Sequence, residues 1–455
     1  MEWKKFPKDF IWGVATSAYQ IEGAYNEDDR GETIWDRYCS IPGNVLHMDN
    51  GNIACDHYHR YKDDIQLMKN MGIKAYRFSV AWSRIFPKGK GKVNQKGLDF
   101  YVELVDGLLK AGIEPVITLY HWDLPQALQD IGGWSNPDLP VYFLEYAKVL
   151  FEILGGKVKK WITLNEPYCA AFLGNYEGRQ APGNHDFSLA LRCAYYMYVG
   201  HGMVVDYFKS SGLEGEIGIA LNLMGRLPYS SKKKDVYAAK IADGYLNRWF
   251  LDPLVYGKYP QDMVTLYESN GVIMPEFDEE HLRLMSLEVD FIGLNYYNDF
   301  WVKSSKSRWP LGFVIENPPN LPVNDRGWPV TEQGFKDMLL RLKNEYNIRK
   351  IYITENGTSF PDVVTKKGTV EDGNRKDYMQ RHISMMQEAI EDGAPVKGYF
   401  YWSLYDNFEW SFGYTSRFGI VFVDFESQKR IIKQSGHWYS DVIKNNAVKE
   451  ETEHE

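Results

Sequence analysis

Two glutamates stand where their neighbours leave them free to react. Glu166 follows the apolar run Trp161-Ile162-Thr163-Leu164, and Glu355 follows Ile351-Tyr352-Ile353-Thr354. Pro167 closes the first run and Asn356-Gly357 closes the second, and residues of these types end strands. The spacing predicts two carboxylates at the C-terminal ends of two strands far apart in the chain. In a parallel barrel those ends form one face, and that face carries the chemistry. Two carboxyl groups meeting in a cleft are the minimum equipment for breaking a glycosidic bond. One holds a proton for the leaving group, and the other stays ionised to attack the anomeric carbon.

The rest of the chain supplies elements to hold them. Apolar, β-prone runs recur at 10–18, 75–81, 114–120, 161–165, 216–222, 290–296, 350–355 and 396–404. Helical periodicity lies between most of them, at 61–71, 94–110, 139–154, 335–346 and 379–392. Eight strands alternating with helices predict a single (β/α)8 TIM barrel, an α/β fold whose long βα loops form the active-site cleft. The polar, Gly-rich stretch 24–58 reads as a loop over the barrel mouth. With no linker, charge block or internal repeat, residues 1–455 read as one catalytic domain. On these strands Arg77 reads either as a core ion pair or as a fixed cation beside a nucleophilic carboxylate. Gln20, just past the first strand, reads as a structural bridge or as a grip on a pair of sugar hydroxyls. His121 and Trp122 stand together at the end of the third strand.

Composition narrows the partners. A net charge of −9 argues against nucleic acid, which calls for a basic stripe, and suits a neutral substrate. The 15% aromatic content, with 14 Trp and 32 Tyr, suits a site that stacks flat rings. Cys39, Cys55, Cys169 and Cys193 have no CxxC or metal-ligand spacing, so they read as buried free thiols, with no metal and no cofactor implied. No apolar run reaches membrane-spanning length, and MEWKKFPKDFIWG lacks the apolar core of a signal peptide. The expectation is a cytoplasmic protein with no membrane or nucleic-acid partner and a short solvated KEETEHE tail.

Six motifs in order carry a family resemblance: FIWGVATSAYQIEG at 10–23, RFSVAWSRIFP at 77–87, HWDLP at 121–125, TLNEP at 163–167, ITENG at 353–357 and YWSLYDNFEW at 401–410. Together they resemble glycoside hydrolase family 1, the β-glucosidase family. The resemblance implies a retaining exo-β-glycosidase that needs no cofactor. It would act on terminal β-D-glucosyl residues of glucosides and short β-linked oligosaccharides such as cellobiose. β-Galactosides and β-fucosides are further candidate substrates, and transglycosylation would share the covalent intermediate.

By the same resemblance Glu355 is the nucleophile and Glu166 the general acid/base. Arg77 favours the ionised form of Glu355, and Glu166 is raised by its partner and by a partly dry cleft. A retaining enzyme sets the two carboxyls about 5–5.5 Å apart. Asn165 contacts the sugar 2-hydroxyl, and Tyr296 donates its hydroxyl to Glu355. Gln20, His121, Asn165, Glu409, Trp402 and Trp410 hold the non-reducing sugar, with Glu409 accepting from the hydroxyls at carbons 4 and 6. Trp328 lines the aglycone side, and Phe418 stands near the carbon-6 group. The chain departs from the common pattern at Tyr405, where Leu or Met is more usual. Glu409 stands where the 6-phospho-glycosidase branch has Ser, which predicts neutral sugars. A non-catalytic sugar-binding barrel is the alternative of another class, opposed by the intact Glu166, Glu355, Arg77 and Tyr296.

Overall fold

A computed structural model describes residues 3–449, so the tail expected from position 450 onward lies outside the described residues. Eight parallel strands close into a barrel: β1 Ile11–Ala15, β2 Ala75–Ser79, β3 Glu114–Tyr120, β4 Lys160–Asn165, β5 Glu216–Asn222, β6 Phe291–Asn295, β7 Ile351–Asn356 and β8 Val396–Trp402. They pair in chain order, and β8 closes on β1 in the register Gly398↔Ile11 through Trp402↔Ala15. All eight runs expected to be strands are barrel strands.

The strands are buried on both faces, which is why they read as continuous apolar runs rather than alternating ones. Inward-facing Ala15, Ala75, Val116, Ile162, Ala220, Phe291, Tyr352 and Phe400 pack as one cluster that fills the barrel axis. Outward-facing residues meet the helix layer. The helix Gln95–Ala111 buries Leu98, Tyr101, Leu104, Val105 and Leu108 at helical spacing, and Gly112 ends it in the left-handed conformation at φ +76°. Among the described residues, no helix is long and apolar enough to cross a membrane.

Two local features differ from the expectation. The stretch 24–58 is not all loop. It holds the helix Ile34–Cys39, whose Thr33 and Asp36 form a reciprocal capping box. Ile34, Trp35, Tyr38 and Cys39 are buried, so this helix packs as part of the barrel mouth. A small sheet made of Arg226–Pro228, Phe300–Ser304 and Phe313–Ile315 also covers one side of the mouth. Two of its strands have only three residues, too short for periodicity to reveal. All four cysteines are free and buried.

Candidate active site

Register brings the polar ends of the strands to one level. Arg77 pairs with Ala15, Asn165 with Ala220, Asn222 with Asn295, and Glu355 with Asn295. Gly357, directly after β7, is required by space, because a Cβ there would sit 1.8 Å from the Trp402 carbonyl oxygen. The chain can therefore turn away immediately behind Glu355.

Arg77, fully buried, is the hub. Its Nη1 donates to Glu355 Oε1 at 2.7 Å and to the Thr354 carbonyl at 2.9 Å. Its Nη2 donates to Asn165 Oδ1 at 2.6 Å and its Nε to Thr118 Oγ1 at 3.1 Å. One guanidinium thus ties β2, β3, β4 and β7 together. The other Glu355 oxygen, Oε2, accepts from the Tyr297 hydroxyl at 2.6 Å.

Glu166 is held differently. Its Oε1 accepts from Asn295 Nδ2 at 2.8 Å and its Oε2 from the Cys169 thiol at 3.1 Å. Its backbone sits in the left-handed region at φ +44°. Trp122 at φ +77° and Trp410 at φ +52° share that conformation and line the same cavity. Non-glycine residues adopt it rarely, and here it aims large side chains into the cleft.

The cavity has a volume of about 450 Å³. Glu166, Glu355, His121, Trp328, Trp402, Glu409, Trp410 and Phe418 all line it. Arg77, Asn165 and Gln20 are fully buried just behind that wall. Gln20 Nε2 donates to the Phe408 carbonyl at 2.8 Å and reaches Glu409 Oε2 at 3.4 Å, so in this state it braces Glu409. Asn165 Nδ2 lies 3.0 Å from His121 Nε2, which makes Nε2 the acceptor and leaves the ring proton on the buried Nδ1. Burial, reinforced by Arg77, pushes the His121 pKa well below its usual value, so the imidazole is neutral.

Tyr296 does not do what the sequence reading assigned to it. Its hydroxyl donates to Asp299 Oδ1 and to the Thr331 carbonyl, both at 2.9 Å, and its ring packs on Phe335 at 5.0 Å. The partner of Glu355 is Tyr297. Alternation along the strand explains the difference. Asn295 points inward to Glu166, so Tyr296 points out to the helices and Tyr297 points in again. That period-two signal was present in Asn295-Tyr296-Tyr297 and would have selected the second tyrosine.

Burial raises the pKa of both carboxyls. Glu166 is pushed up to about 8, by burial first and the nearby Glu355 charge second. Glu355 is also raised by burial, which outweighs the expected pull of Arg77, while Tyr297 and Asn295 act on the same side as Arg77. The donors decide which group keeps the proton. Glu355 faces a guanidinium and a phenol, whereas Glu166 receives only an amide and a weak thiol donor. The proton of the pair resides on Glu166.

Sequence reasoning also missed Arg326, on the loop before Trp328. Its Nη1 donates to Glu409 Oε1 at 2.8 Å, and its guanidinium carbon lies 3.9 Å from the Phe412 ring centroid and 4.4 Å from that of Trp328. Burial raises the Glu409 pKa, and Arg326 opposes that rise. No short motif or periodicity points to a residue delivered by such a loop.

Known proteins carry the same arrangement of elements. Beta-glucosidase A of Acetivibrio thermocellus is 47% identical over 445 residues, spanning 97% of this chain and 98% of that protein. A 1,4-beta-D-glucan glucohydrolase of Thermotoga neapolitana is 47% identical, spanning 98% of this chain and 99% of its own. The solved family 1 β-glucosidase from Thermotoga maritima matches with a TM-score of 0.95 at 44% identity, covering 99% of this chain and all (100%) of that one. The sequence profile of Glycosyl hydrolase family 1 spans residues 2–448, from before β1 to well past β8, and takes in all six motifs. On that whole-length match, and with both carboxylates at the ends of β4 and β7, this chain belongs to glycosyl hydrolase family 1.

Proposed function

We propose that the protein is an exo-β-glucosidase that cleaves terminal β-D-glucosyl residues by double displacement through a covalent glycosyl-enzyme. The observation that carries this reading is the unequal treatment of two buried carboxyls in one cavity. Glu355, held by Arg77 and Tyr297, is the ionised nucleophile. Glu166, pushed up to about 8, carries the proton for the leaving group. Once Glu355 is glycosylated its charge disappears, the Glu166 pKa falls, and Glu166 can accept the proton of the attacking water.

The remaining cavity residues suit a sugar. His121, Trp402 and Trp410 present rings, with His121 5.7 Å from Trp402 and 6.1 Å from Trp410. Glu409 supplies a carboxylate for paired hydroxyls, and Asn165 stands behind, placed for the 2-hydroxyl. Cellobiose and aryl glucosides are the proposed substrates, with β-galactosides and β-fucosides as weaker ones and transglycosylation as a side reaction. Arg326 pairs with Glu409 and offsets the carboxylate charge that would repel a phosphate. Neutral sugars are still favoured, because that guanidinium is already engaged with Glu409.

The test is a panel of 4-nitrophenyl glycosides of β-glucose, β-galactose, β-fucose and 6-phospho-β-glucose, with Glu355→Ala as control. Hydrolysis of the β-glucoside that vanishes in the control supports the reading, as does mass-spectrometric trapping of a 2-fluoroglucosyl unit on Glu355. Hydrolysis of the phosphorylated compound alone, or trapping on another residue, refutes it.

A further inference from the structure

The acid Glu166 stands beside the departing group, so the cavity wall around it faces the aglycone. Tyr168 and Cys169 follow Glu166 on that wall, Asn222 Nδ2 lies 3.6 Å from the Cys169 sulfur, and Met224 and Arg226 follow Asn222 along the chain. Arg226 is unusual among them. Among the described residues its guanidinium makes no ion pair and no hydrogen bond, and its Nε is buried without a partner. Its guanidinium carbon rests 5.5 Å from the Phe300 ring centroid, and Phe300 lines the same cavity. Asp299, close by, is already taken: its Oδ1 accepts from the Gly225 amide at 2.6 Å and from the Tyr296 hydroxyl at 2.9 Å. Glu177 is shared by Arg179, at 2.7 Å, and by Arg308. Asp299 attracts Arg226 electrostatically without bonding to it, so Arg179, Arg226 and Arg308 face Asp299 and Glu177, which leaves a surplus of positive charge here in a protein whose net charge is −9.

A planar guanidinium with free donors, flanked by flat apolar surface, fits a planar anion joined to a ring. We propose that Arg226 selects β-glucosides of acidic aromatic aglycones, seating the aglycone carboxylate on its guanidinium. The assignment rests on the β-glucosidase reading above and adds the class of leaving group. Burial lowers the Arg226 pKa, but the group is a guanidinium and remains a cation at neutral pH.

The experiment compares 3-carboxyphenyl β-D-glucoside with its near-isostere 3-carbamoylphenyl β-D-glucoside, in wild type, Arg226→Met and Arg226→Lys. The readout is the ratio of the two kcat/KM values within one protein, so a partly unfolded variant does not distort it. The wild-type ratio should favour the acid by about tenfold, the value of one charge-assisted hydrogen bond at the low end of its range. Arg226→Met should bring the ratio to one or below, and Arg226→Lys should restore part of it. A wild-type ratio near one, or a ratio that survives Arg226→Met, overturns the assignment. Calorimetric binding of 3-hydroxybenzoate and 3-hydroxybenzamide to the same proteins reads the preference without turnover. Thus, if no glucoside is cleaved, the β-glucosidase reading fails while the Arg226 assignment is still decided. Inorganic sulfate that accelerates only the amide substrate would make a free anion the occupant and also overturn the proposal.

Discussion

Replacing Tyr297 with phenylalanine removes one hydroxyl from the Glu355 carboxylate and leaves the ring in place. The lost bond is short, 2.6 Å, buried, and made to the charged form of the acceptor. A hydrogen bond to a charged group contributes about 1.5–3 kcal/mol. The whole of that acts on a nucleophile whose position sets the rate, so kcat/KM should fall roughly 10- to 150-fold. The donor also favours ionised Glu355, so its removal raises that pKa further and moves the acidic limb of the pH–kcat/KM profile upward. Tyr296→Phe is the matched control. It leaves both Glu355 donors intact but strips donors from Asp299 and the Thr331 carbonyl. Its effect should fall on stability, about 1–3 kcal/mol or roughly 1–3 °C in Tm for a chain of this size. The assay is the pH profile of 4-nitrophenyl β-D-glucoside hydrolysis for both variants, with melting curves alongside. The reasoning is refuted if Tyr296→Phe loses as much kcat/KM as Tyr297→Phe, or if Tyr297→Phe stays within twofold of wild type with an unmoved acidic limb.

Four further outcomes are expected. With Glu166 at about 8, kcat/KM should decline above that pH, and Glu166→Gln should lose the basic limb together with most of the activity. The same shift bears on stability: the folded pKa lies above the unfolded value of 4.5, so the native state binds the extra proton, and stability falls as pH rises from about 4.5 through about 8. Glu166→Gln should therefore melt higher than wild type at pH 9, by a margin that shrinks toward pH 5 in calorimetry. Arg77→Met leaves a buried carboxylate without its cation, a loss of about 3–5 kcal/mol. It should lower kcat/KM by at least a hundredfold, with little rescue by Arg77→Lys, since a single ammonium cannot reproduce the guanidinium fork. Arg326→Met leaves Glu409 uncompensated in a buried site, so its pKa should rise and KM for the glucoside should increase as pH is lowered, more steeply than in wild type.

The barrel was legible because its signals are local. Each strand is an apolar run, four of them (β4 to β7) ending in Asn, and each site residue on a strand end inherits its place from that run. Glu166, Glu355, Arg77, Asn165 and His121 were placed this way, and the structure gathers them. The helix Ile34–Cys39 escaped because its six residues span less than two turns and sit in polar surroundings, although Thr33 and Asp36 spelled a cap. Tyr297 was missed by one position because the motif was matched without following the pleat past Asn295. Arg326 and Arg226 could not be placed at all. One sits on a loop, the other on a three-residue strand, and only the folded chain shows that their charges face the cavity.

Arg77 belongs to β2, the groups it grips belong to β3, β4 and β7, and Glu166 follows β4 directly. Neither half of the polypeptide therefore contains a usable site. During synthesis the chain must expose β7, more than 180 residues after Glu166, before the guanidinium meets its carboxylate. Two fragments divided between β4 and β5 would each carry one of the two site glutamates, Glu166 or Glu355, and be inert alone. Turnover is thus a certificate of closure: a molecule that cleaves its substrate has brought its two ends around and sealed β8 against β1.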